Sequence, residues 1–145
     1  MDETPKKNIQ GLTYLLSQGY SYGSLISSCY PLTSPPLKTA HLILSYPLDK
    51  RGLLTLFHSN FYSSALSILL KETSSRVLIV YGDQDEFTSA QSYTNWVEQL
   101  RDDTGGGQNL RVETVRGASH FWAASRRDME TLLQVVDNWL TQWTN

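Results

Sequence analysis

Gly19-Tyr20-Ser21-Tyr22-Gly23 is the stretch of this sequence that most strongly predicts a fold. It directly follows Leu12–Gln18, an apolar segment that is a candidate strand. A serine with a glycine two residues to either side suits a sharp turn from a strand into a helix, because small neighbours relieve backbone crowding there. Such a turn lifts the Ser21 hydroxyl clear of the sheet edge, where it can act as a nucleophile. The same residues also suit a plain glycine-rich turn with a capping serine.

Two further segments place reactive residues directly after candidate strands. Val77–Tyr81 is short and apolar, as expected of a strand that is covered on both faces of a parallel sheet, and it leads to Asp85. Leu110–Val115 alternates apolar and polar residues, which suits a strand nearer an edge, and it is followed by His120. Catalytic groups in open α/β sheets gather at the carboxyl ends of strands. Taken alone, however, the Asp85 segment also suits a solvated turn.

Strand and helix patterns alternate along the whole chain. His41–Tyr46 is a fourth candidate strand. Helices are predicted from apolar spacing and capping signals over Asn60–Leu70, Thr88–Asp102 and Met129–Trp143. This order predicts an α/β fold with a mostly parallel four-stranded sheet flanked by helices, in a single domain that spans residues 1–145.

Composition and charge argue against several other classes of function. The formal net charge is −2 and the basic residues are scattered, which does not suit a nucleic-acid groove. No apolar run reaches membrane-spanning length. The three histidines, His41, His58 and His120, do not cluster with cysteine or acidic residues, so neither a metal nor another cofactor is expected. Gly105-Gly-Gly107 precedes a strand rather than a helix, which suits a connection and not a phosphate loop. Cys29 is the only cysteine, which fits a cytoplasmic location.

Taken together, the three segments resemble the α/β-hydrolase superfamily. Gly-Tyr-Ser21-Tyr-Gly is similar to its nucleophile elbow, Gly82-Asp-Gln-Asp85 to its acid turn, and Gly-Ala-Ser-His120-Phe to its histidine loop. Serine, then aspartate, then histidine is also the chain order of the catalytic residues in that superfamily. The resemblance extends from about Leu12 to the end of the chain. It is closest to small esterase-like members that are related to dienelactone hydrolases.

The resemblance implies a serine hydrolase that acts on small-molecule carboxylic esters through an acyl-enzyme intermediate. Ser21 would be the nucleophile and His120 the base that takes its proton. Asp85, rather than Asp83, would orient the imidazole. The backbone N–H of Tyr22 would donate a hydrogen bond to the developing oxyanion.

Four aromatic or histidine side chains are candidates for a substrate pocket. Tyr20 and Trp122 stand next to the nucleophile and the histidine loop in the sequence. Phe57 and His58 belong to an apolar stretch between the second and third strands. Ordinary helix packing explains that stretch equally well, and a core position explains Trp122.

The chain corresponds to only the C-terminal half of the fold that it resembles. The strands that would precede the elbow, and the loop that supplies a second oxyanion donor, have no counterpart in residues 1–11. Leu12–Gln18 is apolar enough to be buried on both faces, yet it would form an exposed sheet edge. We therefore expect a homodimer or an N-terminal partner fragment to cover this edge. The alternative to an active enzyme is a truncated, weakly active or inactive module that serves as an interaction or regulatory subunit.

Overall fold

A computed structural model describes residues 14–29, 38–49 and 59–144. Four strands alternate with helices in this part of the chain. The strands are β1 (Tyr14–Tyr20), β2 (Lys38–Leu44), β3 (Ser75–Gly82) and β4 (Leu110–Val115). The helices are α1 (Tyr22–Ser28), α2 (Ser59–Lys71), α3 (Ala90–Asp103) and α4 (Arg126–Thr144), with a 3-10 turn at Trp122–Ala124 before α4.

The four strands form one parallel sheet in the order β1-β2-β3-β4. The register pairs Tyr20 with Leu44, Leu44 with Val80, and Gly82 with Val115. All four strands therefore end at the same edge of the sheet, where the residues that follow them meet. The predicted four-stranded parallel α/β sheet is confirmed, and so is the position of β4 at an edge.

Helices cover both faces of the sheet. One apolar cluster packs α1, α2 and α3 against residues such as Ile43 and Ile79, while a second packs α4 against residues such as Leu42 and Leu78. Strand β3 contributes to both clusters and is buried along almost its whole length. Fully burying one large apolar side chain stabilises a fold by about 1.5–3 kcal/mol. Because β3 buries apolar side chains in both clusters, it is the centre of the core. None of the helices in the described ranges is both long and apolar enough to cross a membrane.

Strand β1 is the other edge strand of the sheet, as predicted, and its two faces are covered to different extents. Leu16, Gln18 and Tyr20 are exposed on one of its faces, whereas Leu15 and Ser17 are partly covered on the other. Leu12, the predicted start of this strand, lies outside the described residues. The strand also continues to Tyr20, two residues beyond the predicted end. Because β1 is an edge strand, packing from the described helices reaches only one side of it.

The start of α3 also differs from its prediction. The N-cap is Ser89, whose Oγ accepts the backbone N–H of Ser92 at 3.0 Å. Thr88, the predicted cap, instead accepts the N–H of Leu48 at 3.0 Å and donates to the carbonyl of Tyr46 at 3.3 Å. Its hydroxyl therefore ties the turn after β3 to the segment after β2. The N-cap is therefore one residue later than predicted, because the Thr88 hydroxyl is bonded to the segment after β2.

Candidate active site

Ser21 occupies a strained turn between β1 and α1. Its backbone angles are φ 53° and ψ −122°, in a region that residues with a side chain seldom adopt. Its N–H donates to the Leu44 carbonyl at 2.9 Å, and its own carbonyl accepts the N–H of Ser24 at 2.9 Å and the Ser24 hydroxyl at 2.5 Å. These bonds hold the turn against its strain. Ser21 is thus fixed at the end of β1, with its side chain free to project from the sheet.

The two glycines of the turn have different roles. A Cβ on Gly19 would lie 2.6 Å from the Cα of Ser24 and would overlap the carbonyl of Gly23. A Cβ on Gly23 would meet no atom within 4 Å. The expectation that both glycines relieve crowding is therefore correct for Gly19 and wrong for Gly23. The asymmetry arises because α1 turns back over β1 and brings the backbone of Gly23 against Gly19.

Asp85 lies in the turn after β3 with its carboxylate fully buried. Its Oδ1 accepts the backbone N–H groups of Phe87 at 2.8 Å and Thr88 at 3.1 Å. Its Oδ2 lies 2.9 Å from Nδ1 of His120 and accepts the hydroxyl of Tyr93 at 3.5 Å. A buried carboxylate needs such partners to stay ionised. Burial, and then the charge of Asp85, raise the pKa of Tyr93, so that hydroxyl stays a donor.

His120 follows β4 in a loop that is tied to the ends of two other strands. Its backbone N–H donates to Oε2 of Glu86 at 2.8 Å, and its carbonyl accepts the hydroxyl of Tyr20 at 2.9 Å. The His120 N–H lowers the pKa of the Glu86 carboxyl. Burial, followed by the charges of Asp85 and Glu86, raises the pKa of Tyr20, which keeps its hydroxyl protonated as a donor. Tyr20, which precedes Ser21, and Glu86, which follows Asp85, therefore both bind the backbone of His120.

The loop also approaches the turn after β3 very closely. A Cβ on Gly82 would overlap the carbonyl of Ala118, which accepts the N–H of Gln84 at 3.0 Å. Asp83 accepts the N–H of Gly117 at 2.6 Å through its Oδ1. Asp83 is thus the turn residue of the pair, and Asp85 is the aspartate that reaches the imidazole of His120.

Ser21, His120 and Asp85 form one continuous chain of polar contacts. The Ser21 Oγ lies 3.0 Å from Nε2 of His120, and Nδ1 on the other side of the ring lies 2.9 Å from Asp85. An ionised carboxylate only accepts hydrogen bonds, so Nδ1 carries the proton. Nε2 is then left with a lone pair that faces the Ser21 hydroxyl. This arrangement can take a proton from the serine as its oxygen attacks an electrophile.

The four candidate pocket residues fall into three groups. Phe57 and His58 lie outside the described residues. Trp122 packs in the core on the α4 side of the sheet, and its indole N–H donates to Ser45 Oγ at 2.9 Å, so a substrate contact from its ring is not supported. Tyr20 is 44% exposed and lines an open groove of about 330 Å³ beside β1 and β2.

Besides Tyr93 on Asp85, three residues around His120 were not predicted from the sequence. Glu86 binds the backbone of His120, and the rings of Phe87 and Phe121 lie against its imidazole. Their only signal in the sequence is adjacency, because Glu86 and Phe87 directly follow Asp85 and Phe121 directly follows His120. Within the ranges that the structure describes, no three His, Cys, Asp or Glu side chains are grouped to bind a metal ion.

Comparison with known sequences finds a distant relative. No protein-family model matches the chain. An uncharacterised protein from Schizosaccharomyces pombe is 30% identical over 133 residues, which cover 91% of this chain and 56% of that protein. The chain thus spans little more than half the length of this curated relative.

Solved structures with a similar fold are hydrolases. An α/β serine hydrolase homologue from Coxiella burnetii is 23% identical, with a TM-score of 0.53 over 86% of this chain and 48% of its own. Esterase 2 from Thermogutta terrifontis, solved in a form phosphoramylated by tabun, is 14% identical, with a TM-score of 0.59 over 88% of this chain and 54% of its own. An S-formylglutathione hydrolase from Staphylococcus aureus is 18% identical, with a TM-score of 0.52 over 90% of this chain and 51% of its own. The chain therefore has part of the α/β-hydrolase fold, as its sequence motifs predicted.

Proposed function

We propose that this chain is a serine hydrolase of carboxylic-ester type, in which Ser21, His120 and Asp85 act as a catalytic triad. The observation that carries the proposal is the unbroken contact chain from the Ser21 hydroxyl through both ring nitrogens of His120 to the buried Asp85 carboxylate. The strained backbone of Ser21 at a strand-to-helix turn supports the same assignment. The solved structures with this fold include esterases and serine hydrolases, which agrees with ester hydrolysis. As substrate we propose a small-molecule ester.

In the proposed acylation step, the Ser21 oxygen forms a bond to the ester carbonyl carbon while Nε2 of His120 takes the hydroxyl proton. The carbonyl electron pair moves onto its oxygen, and the Tyr22 N–H donates a hydrogen bond to that oxyanion. When the pair returns, the bond to the alkoxy group breaks. His120 gives its proton to the departing oxygen, so an alcohol leaves and the acyl group stays on Ser21.

Deacylation repeats these transfers with water as the nucleophile. Nε2 of His120 takes a proton from water as the water oxygen bonds to the acyl carbon, and then returns a proton to the Ser21 oxygen as the acyl–serine bond breaks. The products are a carboxylic acid and the restored hydroxyl. Asp85 stays ionised throughout and stabilises the imidazolium that forms twice in each cycle. A single oxyanion donor of this kind typically contributes about 10²–10³ in rate.

A fluorophosphonate probe tests the proposal directly, because displacement of its fluoride requires an activated serine oxygen. We expect one equivalent of label on the intact chain, located at Ser21 by peptide mass spectrometry. Ser21→Ala should remove the label, and His120→Ala should slow labelling by at least about 10²-fold. Ser64→Ala, which alters an exposed serine of α2, is the matched control and should label normally.

Two outcomes would contradict the proposal. One is an unlabelled wild-type chain that also fails to hydrolyse short-chain aryl esters. The other is equal labelling of the wild type and Ser21→Ala. The first result would favour the truncated interaction or regulatory module, whereas the second would assign the label to a nucleophile other than Ser21. The cytoplasmic location predicted from the lone Cys29 stays a prediction.

A further inference from the structure

Two exposed phenylalanine rings flank the imidazole of His120. Phe87 is 36% exposed, and its ring centre lies 4.5 Å from that of His120 at an interplanar angle of 66°. Phe121 is 53% exposed, at 5.4 Å and 80°. The two phenylalanine rings also meet each other edge to face at 5.8 Å. We call Phe87 and Phe121 the aromatic rim.

The position of the rim is set by the backbone of the site itself. The Phe87 N–H donates to Oδ1 of Asp85 at 2.8 Å, and the Phe121 N–H donates to Ser119 Oγ at 3.1 Å. A single exposed apolar side chain is ordinary on a protein surface. Two adjoining aromatic rings that are anchored beside a buried histidine form an apolar contact surface instead, and their geometry is typical of favourable aromatic pairs.

The proposed chemistry places a particular part of the substrate beside this rim. Nε2 of His120 must pass its proton to the leaving oxygen, which requires an approach of about 2.6–3.2 Å between the two atoms. The first atoms of the alcohol group therefore lie against the imidazole, whose flanks are occupied by Phe87 and Phe121. The acyl group is attached through the carbon that bonds to Ser21, so it begins further from these rings.

The charges near the rim limit what the alcohol group can be. Glu86 separates Asp85 from Phe87 in the chain, and its carboxylate binds the backbone of His120 at 2.8 Å. The His120 N–H lowers the pKa of the Glu86 carboxyl, so this group is ionised at neutral pH. An anionic alcohol group beside the rim would be repelled by Glu86.

We propose that Phe87 and Phe121 bind the leaving group, and that the substrates are esters of apolar alcohols that carry no negative charge, with aromatic alcohols favoured. This inference rests on the proposed function. An aromatic ring on the alcohol group would bury apolar surface against the rim and would make edge-to-face contact with Phe87 and Phe121. Together these two effects should favour benzyl acetate over methyl acetate by about tenfold or more in kcat/KM.

Two ester series of matched chemistry test this inference. The first keeps the acetyl group and varies the alcohol from methyl through butyl to benzyl and 4-carboxybenzyl, and the second keeps methyl alcohol and varies the acyl chain. We expect wild type to prefer benzyl over methyl acetate and to discriminate against the 4-carboxybenzyl ester. Phe121→Ala and Phe87→Ala should each reduce the benzyl preference by about three- to tenfold, while the rank order of the acyl series stays unchanged.

Rescue and control variants separate recognition from a general loss of structure. Phe121→Tyr keeps an aromatic ring and should keep the benzyl preference. Leu133→Ala removes an equally exposed apolar side chain from α4 and should change neither series. Fluorophosphonate labelling of Ser21 in Leu133→Ala should proceed at the wild-type rate, which shows that loss of an exposed apolar side chain outside the site leaves the nucleophile intact.

The outcomes distinguish this inference from the proposed function. If the wild type is labelled and hydrolyses esters, but its alcohol series is flat, the rim does not bind the leaving group. If Phe121→Ala alters the acyl series instead, the rim binds the acyl group and the assignment is wrong. Absence of both labelling and hydrolysis in the wild type would overturn the proposed function itself.

Discussion

Asp83 and Asp85 are two residues apart, yet their contacts give them different expected roles. Asp85 faces the imidazole, whereas Asp83 accepts the Gly117 N–H at the start of the histidine loop. Asp85→Asn replaces the acceptor that holds His120 in its tautomer, and we expect kcat on a short-chain aryl ester to fall by about 10²–10⁴. Asp83→Asn keeps an oxygen for Gly117, so we expect a loss below about fivefold. The reverse ranking would make Asp83 the triad acid.

The two glycines around Ser21 give a second matched pair. A Cβ at Gly19 would collide with backbone atoms of Gly23 and Ser24 in α1. Backbone atoms cannot move aside as the end of a flexible side chain could. We expect Gly19→Ala to destabilise the fold by about 1–3 kcal/mol, as overpacking does. Gly23→Ala meets open space in a helix and should be neutral, or stabilising by up to about 1 kcal/mol. Urea denaturation measures both. Equal losses would mean that the turn has another geometry.

His41 makes stability depend on pH in a defined direction. It is fully buried in β2, with the uncharged Ser17 opposite it and the Ser27 backbone near its ring. Neither ring nitrogen has a hydrogen bond of good geometry to a described residue. Burial lowers the pKa of His41 below its ordinary value of about 6.5.

The sign of the effect follows from proton linkage. As the pH falls through about 6.5, the unfolded chain binds a proton at His41 before the folded chain does. We therefore expect the free energy of unfolding to be constant above this pH and to decrease below it. His41→Gln cannot titrate and should flatten the part of the slope that begins below about pH 6.5, as measured by urea denaturation. An unchanged slope in His41→Gln would assign the pH dependence to other groups.

At the scale of elements, the site depends on how loops from three strands are bonded to one another. Tyr20 ends β1 and Glu86 follows β3, and both bind the backbone of His120 after β4. We expect Tyr20→Phe, which removes only the hydroxyl, to lower kcat by about three- to tenfold with little change in KM, since it loosens the loop without touching the nucleophile. Tyr81→Phe, in the core of β3, is the control for loss of a tyrosine hydroxyl. A change confined to KM would instead indicate that Tyr20 contacts the substrate.

At the scale of the whole molecule, the exposed edge formed by β1 bears on how the chain associates. Tyr14–Tyr20 contains neither a charged residue nor a proline, the usual protections of an edge strand, and it exposes Leu16 and Tyr20 beside a groove. The chain also spans about half the length of the relatives that it matches. We therefore propose that a second copy, or an N-terminal partner fragment, pairs with β1. That residues 1–145 act as a single truncated domain stays a prediction.

Light scattering coupled to size exclusion tests this proposal. We expect the wild type to elute as a dimer or larger species, and Gln18→Lys, which places a charge on the exposed face of β1, to shift the population toward monomer. Gln134→Lys adds the same charge on an exposed position of α4 and should leave the distribution unchanged. A wild-type chain that is monomeric at all concentrations and melts cooperatively would contradict pairing through β1.

The amino-acid sequence by itself determined the order of strands and helices and the residues that occupy the ends of the strands. The apolar run at Val77–Tyr81, the alternation at Leu110–Val115 and the spacing of glycines around Ser21 are local patterns, and each depends on the backbone within a few residues. A parallel sheet then brings Ser21, Asp85 and His120 to one edge, because all its strands end on the same side.

Only the tertiary structure decided the contacts that join distant parts of the chain. Strand register and loop path determine three of these contacts. They are the pairing of the Phe87 and Phe121 rings, the hydrogen bond from Trp122 to Ser45 and the hydrogen bond from Tyr20 to the His120 carbonyl. Tyr20 and His120 are 100 residues apart, and no periodicity in a sequence reports a pairing over that distance. Thr88 lost its predicted role as a helix cap for the same reason: its hydroxyl is bonded to the segment after β2, 42 residues earlier in the chain.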